Sequence, residues 1–270
     1  MRRKRFRLLY FRYLIYLLVF LVPALYTVRS RRLPPAERYL VADEAGVVTY
    51  VYDGDTVRIK LRWGEKKVRL LGVDASEIGG PSEEADLWAS IARRFAYFYL
   101  FKRNVILTRD KEHQDSYGRL LGYLWLDKRI LFNELIIREG VARYLEAFPL
   151  RPEMEQRFRQ AEEEARREKK GMWAEGWPPV VKDFEALNYL GQLRTVELIC
   201  GQIKGERNYT LLLSARSHFQ AFIPRAQRSL FGVLEKIRKG DRLLIFGLIE
   251  DYRGRPQVSL FSPKQLRANF

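Results

Sequence analysis

Cysteine, histidine and methionine are scarce in this chain: its 270 residues include one Cys, two His and three Met. Cys200 alone cannot form an internal disulfide framework or a multi-cysteine zinc or iron–sulfur centre. His113 and His218 leave little for a histidine-rich metal site or a Ser–His triad to draw on. What is abundant excludes a disordered tail, since 47% hydrophobic and 13% aromatic residues can bury two small cores. The net charge of +16 suggests a polyanion or a membrane surface as partner. That charge is uneven: residues 1–38 hold ten basic and one acidic residue, 39–179 hold 24 of each, and 180–270 hold 15 and 8.

Arg2, Arg3, Lys4, Arg5, Arg7 and Arg12 precede 16 uncharged residues, Tyr13 to Val28, rich in Leu, Val, Ile, Phe and Tyr. A bilayer core needs about 20 residues, and Tyr10, Phe11 and a snorkelling Arg12 extend the run toward that length. No small-x-small cleavage pattern surrounds Pro23–Tyr26, so a retained transmembrane helix is expected, with a secreted, signal-cleaved form as the alternative. Basic residues are denser before the run than after it, which places the N-terminus in the cytoplasm and the remainder outside.

Pro34-Pro35 and Trp177-Pro178-Pro179 read as breaks, giving a segment 1–38 of anchor and linker and two globular units, 39–179 and 180–270. In the first unit Val47 to Leu61 and Lys67 to Val73 are strand-like and turn near Arg62–Gly64. A periodic helix from about Ser82 to Phe101 follows, then strands at Val105–Thr108 and Leu120–Leu126. Helices are expected from about Phe132 to Glu139, and from Pro152 to Gly171. The second unit shows five short strands between Thr195 and Phe261, the pattern of a small barrel.

Asp53-Gly54-Asp55-Thr56 sits within a strand pattern, and the hairpin after it turns Asp55 toward the stretch from Arg69 to Asp74. Asp55 and Asp74 are hard oxygen donors suited to Ca²⁺ or Mg²⁺, and Glu77 is a third carboxylate able to activate water. Asp115-Ser116-Tyr117-Gly118-Arg119 adds a tight turn and a guanidinium that can grip a phosphate with two parallel hydrogen bonds. Metal, two arginines and a carboxylate together suit phosphodiester hydrolysis.

Val51 to Trp173 resembles the staphylococcal nuclease (thermonuclease) family through these motifs and through Val68–Asp74, Asn133-Glu134-Leu135, Gly140–Arg143 and Gly171-Met172-Trp173. The resemblance implies a five-stranded OB barrel with three helices and a Ca²⁺-dependent phosphodiesterase acting on DNA and RNA. It implies Asp55, Asp74 and the carbonyl of Ala75 as metal ligands, and Glu77 as general base or water-orienting group. Arg69 and Arg119 would hold the scissile phosphate, with Tyr117 as a phosphate or nucleotide contact. The sequence departs from the family with Ala75-Ser76 in place of Thr-Pro and with Ser116 in place of a lysine. Glu146 and Phe148 replace stacking tyrosines, which leaves Phe148 as a substrate contact.

Residues 240–258 resemble the last two strands of a nucleic-acid-binding OB fold, so a second small OB-like barrel is expected. Tyr209, Phe219, Phe222 and Tyr252 are then candidates to stack on bases, and Arg225, Arg228, Arg253 and Arg255 to follow the backbone. The bland reading buries those aromatics and leaves the arginines as surface. The Glu162–Lys170 charge run reads as a solvated helix face, His113 as inessential to the constellation, and Cys200 as a core residue. The chain is thus expected to be mainly β with α, a membrane-anchored nuclease. The alternative is a non-catalytic nucleic-acid-binding or scaffold protein, and no protein partner is inferable.

Overall fold

A computed structural model describes residues 44–76, 82–126 and 129–269. The expected membrane helix and Glu77 lie outside them. No described helix is long and apolar enough to cross a membrane.

Strands β1 (Glu44–Val51), β2 (Thr56–Leu61), β3 (Gly64–Leu70), β5 (Asn104–Thr108) and β6 (Leu120–Trp125) close a barrel in the order β1-β2-β3-β6-β5. Its interior is filled by alternate residues such as Val57, Ile59, Val68 and Leu70, all fully buried. The expected single run from Val47 to Leu61 is in fact two strands. The amides of Tyr52 and Asp53 both donate to the Thr56 carbonyl and turn the chain there. A two-stranded ribbon of β4 (Val73–Asp74) and β7 (Arg143–Tyr144) lies beside the barrel.

Three helices follow the expected order: α1 (Glu83–Leu100), α2 (Phe132–Arg138) and α3 (Pro152–Arg167). The Ser82 hydroxyl caps α1 by accepting from the Ala85 amide at 3.2 Å. Pro152 opens α3, which ends at Arg167 rather than at Gly171; Gly171–Trp173 form a separate 3₁₀ turn. The charged face of α3 is not merely solvated: Arg166 lies 3.8 Å over the Trp173 ring, and Glu162 accepts from the Tyr144 amide.

The rest of the described chain builds a second barrel from β9 (Leu193–Gly205), β10 (Tyr209–Ser214), β11 (Gln220–Pro224), β12 (Arg242–Tyr252) and β13 (Arg255–Ser259). They run β9-β10-β11-β13-β12, and pairing of β12 with β9 closes the ring. Two short strands extend it, β8 (Val180–Lys182) along β9 and β14 (Leu266–Asn269) along β12. Cys200, Phe219, Phe231 and Ile245 lie in its core. Of the two readings open for Phe219, stacking on bases or burial in the barrel, burial is the one the fold takes. Arg228 is also structural, donating to the carbonyls of Glu206 and Tyr209.

Helix α1 joins the two barrels. Ala92 packs on the first barrel, where a Cβ on Gly54 would come within 2.6 Å of its methyl. Toward the second barrel, Arg94 pairs bidentately with Glu250 at 3.2 and 2.5 Å, and the Trp88 and Phe246 rings meet edge-on at 6.1 Å. The Tyr99 hydroxyl donates to the Gly191 carbonyl at 3.0 Å. Gly191 has φ +78° and no room for a side chain, since a Cβ would lie 2.7 Å from that hydroxyl.

Candidate active site

Asp55 follows the turn between β1 and β2, and Thr56 stands opposite Arg69 across the β2–β3 ladder. This register brings the Asp55 carboxylate and the Arg69 guanidinium to one end of the barrel, where Nη1 lies 2.5 Å from Oδ1. The Thr56 hydroxyl donates to the same oxygen at 2.8 Å, and the Ala75 amide donates to Oδ2 at 3.1 Å. Gly54 makes this closeness possible, because a Cβ there would also lie 2.7 Å from the Ala75 methyl. Asp55 is 6% exposed. Burial pushes its pKa up to about 7; Arg69 works against that rise, and neighbouring Asp53 adds to it.

Asp74 is on β4, backbone-paired to Arg143, with its side chain exposed one residue before Ala75. Among the described residues no three His, Cys, Asp or Glu cluster as a metal site. Asp55 nevertheless suits a divalent cation. It is an oxygen donor taken out of water, its charge is incompletely offset by one guanidinium, and Oδ2 keeps a lone pair beyond the Ala75 bond.

Parallel pairing of β3 with β6 sets Val68 opposite Leu120 and Arg69 opposite Leu121, and Arg119 is the residue that leads into β6. The Arg119 Nε lies 2.6 Å from Asp115 Oδ2 and its amide donates to Oδ1 at 2.9 Å. Hydrogen bonds to Arg119 hold the Asp115 carboxyl below the usual range despite some burial. Asp115 thus orients the arginine. Tyr117 is 84% exposed at the tip of this turn, and the Arg119 guanidinium lies 5.4 Å from its ring centre. Phe148 is half-buried in the segment before α3, and Glu146 is tied to Arg159 at 2.5 Å. His113 is exposed, with its carbonyl accepting from the Leu121 amide. Tyr252, Arg253 and Arg255 are exposed on the second barrel.

Sequence reasoning missed the polar scaffold beneath the site. Asn133 is fully buried; it accepts from the Leu124 amide at 2.9 Å and donates to the Leu71 carbonyl at 2.9 Å and the Gly122 carbonyl at 3.3 Å. One amide thereby fixes the chain leaving β3, which carries Arg69, against β6, which follows Arg119. Buried Glu134 accepts from Arg138 and Arg157, and buried Asp110 binds the Tyr123 hydroxyl and the Arg151 amide.

An OB-type barrel with a buried Asp–Arg pair at its end and a second guanidinium on the turn leading into the adjoining strand defines an enzyme built to act on phosphate esters. A family model described as "Staphylococcal nuclease homologue" matches residues 67–175. The thermonuclease of Staphylococcus hyicus is 35% identical over 129 residues, covering 47% of this chain and 74% of that protein. The thermonuclease of Staphylococcus intermedius is 33% identical over 133 residues, covering 49% and 78%. Endonuclease YhcR of Bacillus subtilis is 32% identical over 161 residues, covering 56% of this chain and 13% of that protein. The chain belongs to the staphylococcal nuclease family, and it is a nuclease, a hydrolase of phosphodiester bonds.

Proposed function

We propose that the chain is a Ca²⁺-dependent endonuclease of broad specificity for DNA and RNA, with Mg²⁺ as the alternative ion, exported and held at the cell membrane by its N-terminal segment. The observation that carries the reading is the buried Asp55–Arg69 pair at 2.5 Å, seated beside the Ala75 amide against a glycine. Asp55, Asp74 and the Ala75 carbonyl would hold the ion, which when bound would neutralise phosphate charge. Arg69 spends one of its nitrogens on Asp55 and has others to offer a non-bridging phosphate oxygen. Arg119, braced by Asp115, would donate to the same phosphate as charge builds in the transition state. Glu77 would take the proton of the attacking water, and Tyr117 and Phe148 would contact the nucleotide. Tyr252, Arg253 and Arg255 would hold the polymer on the basic second barrel. The cations ahead of residue 13 favour an N-terminus in the cytoplasm and the barrels outside.

The test uses the full chain in mild detergent with denatured DNA and with RNA, in Ca²⁺, in Mg²⁺ and in chelator. Cutting should need the ion and fall at least about a hundredfold in Glu77→Ala and in Arg119→Ala. Undiminished cutting in chelator would refute the metal mechanism. Recovery from cells in the soluble medium with a new N-terminus would refute the anchor.

A further inference from the structure

A groove of about 1080 Å³ runs between the C-terminal end of α1 and the face of the second barrel formed by β10 to β13. Small-molecule sites occupy roughly 300–1,000 Å³ and are more enclosed, so an open groove of this size suits an extended ligand. Aromatic rings stand on both sides. Tyr97 on α1 and Phe101 just after it stack with centres 4.3 Å apart; on the barrel, Tyr209 and Phe222 lie 5.5 Å apart and Tyr252 stands at the rim. Tyr97 and Tyr252 are 39% and 48% exposed, so part of each ring is open to the groove.

Lys102 and Arg103 enter the same groove from the end of α1, and Arg253 and Arg255 from the β12–β13 hairpin. Among the described residues none of these four has a carboxylate within ion-pair distance. The groove's own acids are engaged elsewhere. Glu250 is held by Arg94 and the Ser259 hydroxyl, and Asp251 accepts from the Gly254 amide inside the turn.

The backbone gives an independent sign. Lys102 has φ +59° and Arg253 φ +56°, and only Lys169 among the other described non-glycine residues shares that left-handed conformation. Such a conformation costs an ordinary residue about 1 kcal/mol, and glycine is the usual solution both after a helix and in a tight hairpin. Two of the three strained positions in the described chain are therefore cations lining one groove, where glycine would be more stable. Backbone strain of this kind clusters at functional sites.

We propose that this groove binds single-stranded nucleic acid, with bases stacked on Tyr97, Tyr252 and the Tyr209–Phe222 pair, and phosphates running along Lys102, Arg103, Arg253 and Arg255. The site is composite: half its cations come from the turn that follows α1, between that helix and β5 of the nuclease barrel. It deepens the reading above, on which it rests for the chain's substrate, by naming an unpaired strand as the form engaged. Base faces are available for stacking only in an unpaired strand.

The test measures binding of a labelled oligothymidylate of about 12 nucleotides to the full chain in detergent with chelator present, over a range of salt. Lys102→Gly with Arg253→Gly should weaken binding tenfold or more and flatten the log–log salt slope by about 1.4, while Tm stays level or rises. Tyr97→Ala and Tyr252→Ala should each weaken binding about fivefold or more with the slope unchanged. Affinity within twofold of the parent in the double glycine variant would overturn the proposal. So would tighter binding of duplex, or polyphosphate bound as well as the oligonucleotide and indifferent to both tyrosines. Chelator separates the two readings: a protein that binds but never cuts sinks the catalytic one alone, and one that cuts with all groove variants binding normally sinks this one alone.

Discussion

Replacing Arg94 by alanine strands a buried carboxylate between the barrels. Glu250 is 5% exposed, and without Arg94 only the Ser259 hydroxyl, at 3.2 Å, would still meet its charge. Breaking a fully buried pair from one side costs about 3–5 kcal/mol. The Arg94 side chain is 31% exposed, so water partly replaces it, and about 2 kcal/mol is expected, a Tm loss of about 4–8 °C. Burial holds the Glu250 pKa above its ordinary 4.5, while Arg94 pulls it down. A carboxyl whose folded pKa is raised favours folding in its protonated form; that contribution is complete below about pH 4.5 and is lost as pH rises through the folded value. Removing Arg94 raises the folded value further, so the deficit should be largest at neutral pH and shrink on acidification. In a Glu250→Gln background no charge remains to strand, and Arg94→Ala should cost under about 1 kcal/mol. Thermal unfolding of the four proteins of this cycle at neutral and mildly acidic pH measures the coupling. A coupling within about 0.3 kcal/mol of zero, or a deficit that grows on acidification, would refute the reasoning.

Gly54→Ala should drive the new methyl into Ala92 and Ala75, costing about 1–3 kcal/mol and lowering kcat about tenfold or more as Asp55 shifts; an unchanged kcat would separate the carboxylate from this contact. Asn133→Ala leaves the Leu124 amide and the Leu71 and Gly122 carbonyls buried without their partner, and urea unfolding should show a loss of about 2–4 kcal/mol. A loss under about 0.5 kcal/mol would mean those groups find other partners. Cys200 is 1% exposed and burial, with Asp241 nearby, pushes its thiol pKa up, so alkylation at pH 8 should run at least about a hundredfold slower in the native protein than in urea. Equal rates would show the second barrel opening readily.

The strands and helices that could be read from sequence are those whose pattern has one interpretation. The β-rich run toward Leu61 and the apolar period from about Ser82 to Phe101 leave little choice of element. The hairpin near Arg62–Gly64 brings Asp55 toward the Arg69–Asp74 stretch, but the pairing of Thr56 with Arg69 is fixed only by the folded register, since slipping by one residue would reverse every face. Three kinds of information were not legible. Tyr52–Asp55 interrupts a strand without interrupting its β-rich composition, because the break is made by two amides sharing the Thr56 carbonyl. Phe219 immediately precedes β11 and Phe222 lies within it, and composition alone does not say which of them faces inward; the fold buries the first and leaves the second half-exposed. Asn133 and Glu134 carry no local sign of burial, because what satisfies them comes from Leu71, Gly122 and Arg157, far along the chain.

Charge shows the same limit more sharply. Residues 39–179 hold as many acids as bases, which on a segment-wide sum leaves only the flanks to attract a polyanion. The fold distributes those charges unequally. Glu134 is paired with Arg138 and Arg157, Asp110 with Arg151, Asp115 with Arg119 and, in part, Asp55 with Arg69. Lys102 and Arg103 meanwhile stand at the end of α1 in a groove whose other wall carries Arg253 and Arg255. Acids locked in internal pairs present little field outward, whereas cations grouped along one open groove add theirs. A segment can therefore be neutral in sum and still supply half the positive charge of a polyanion track.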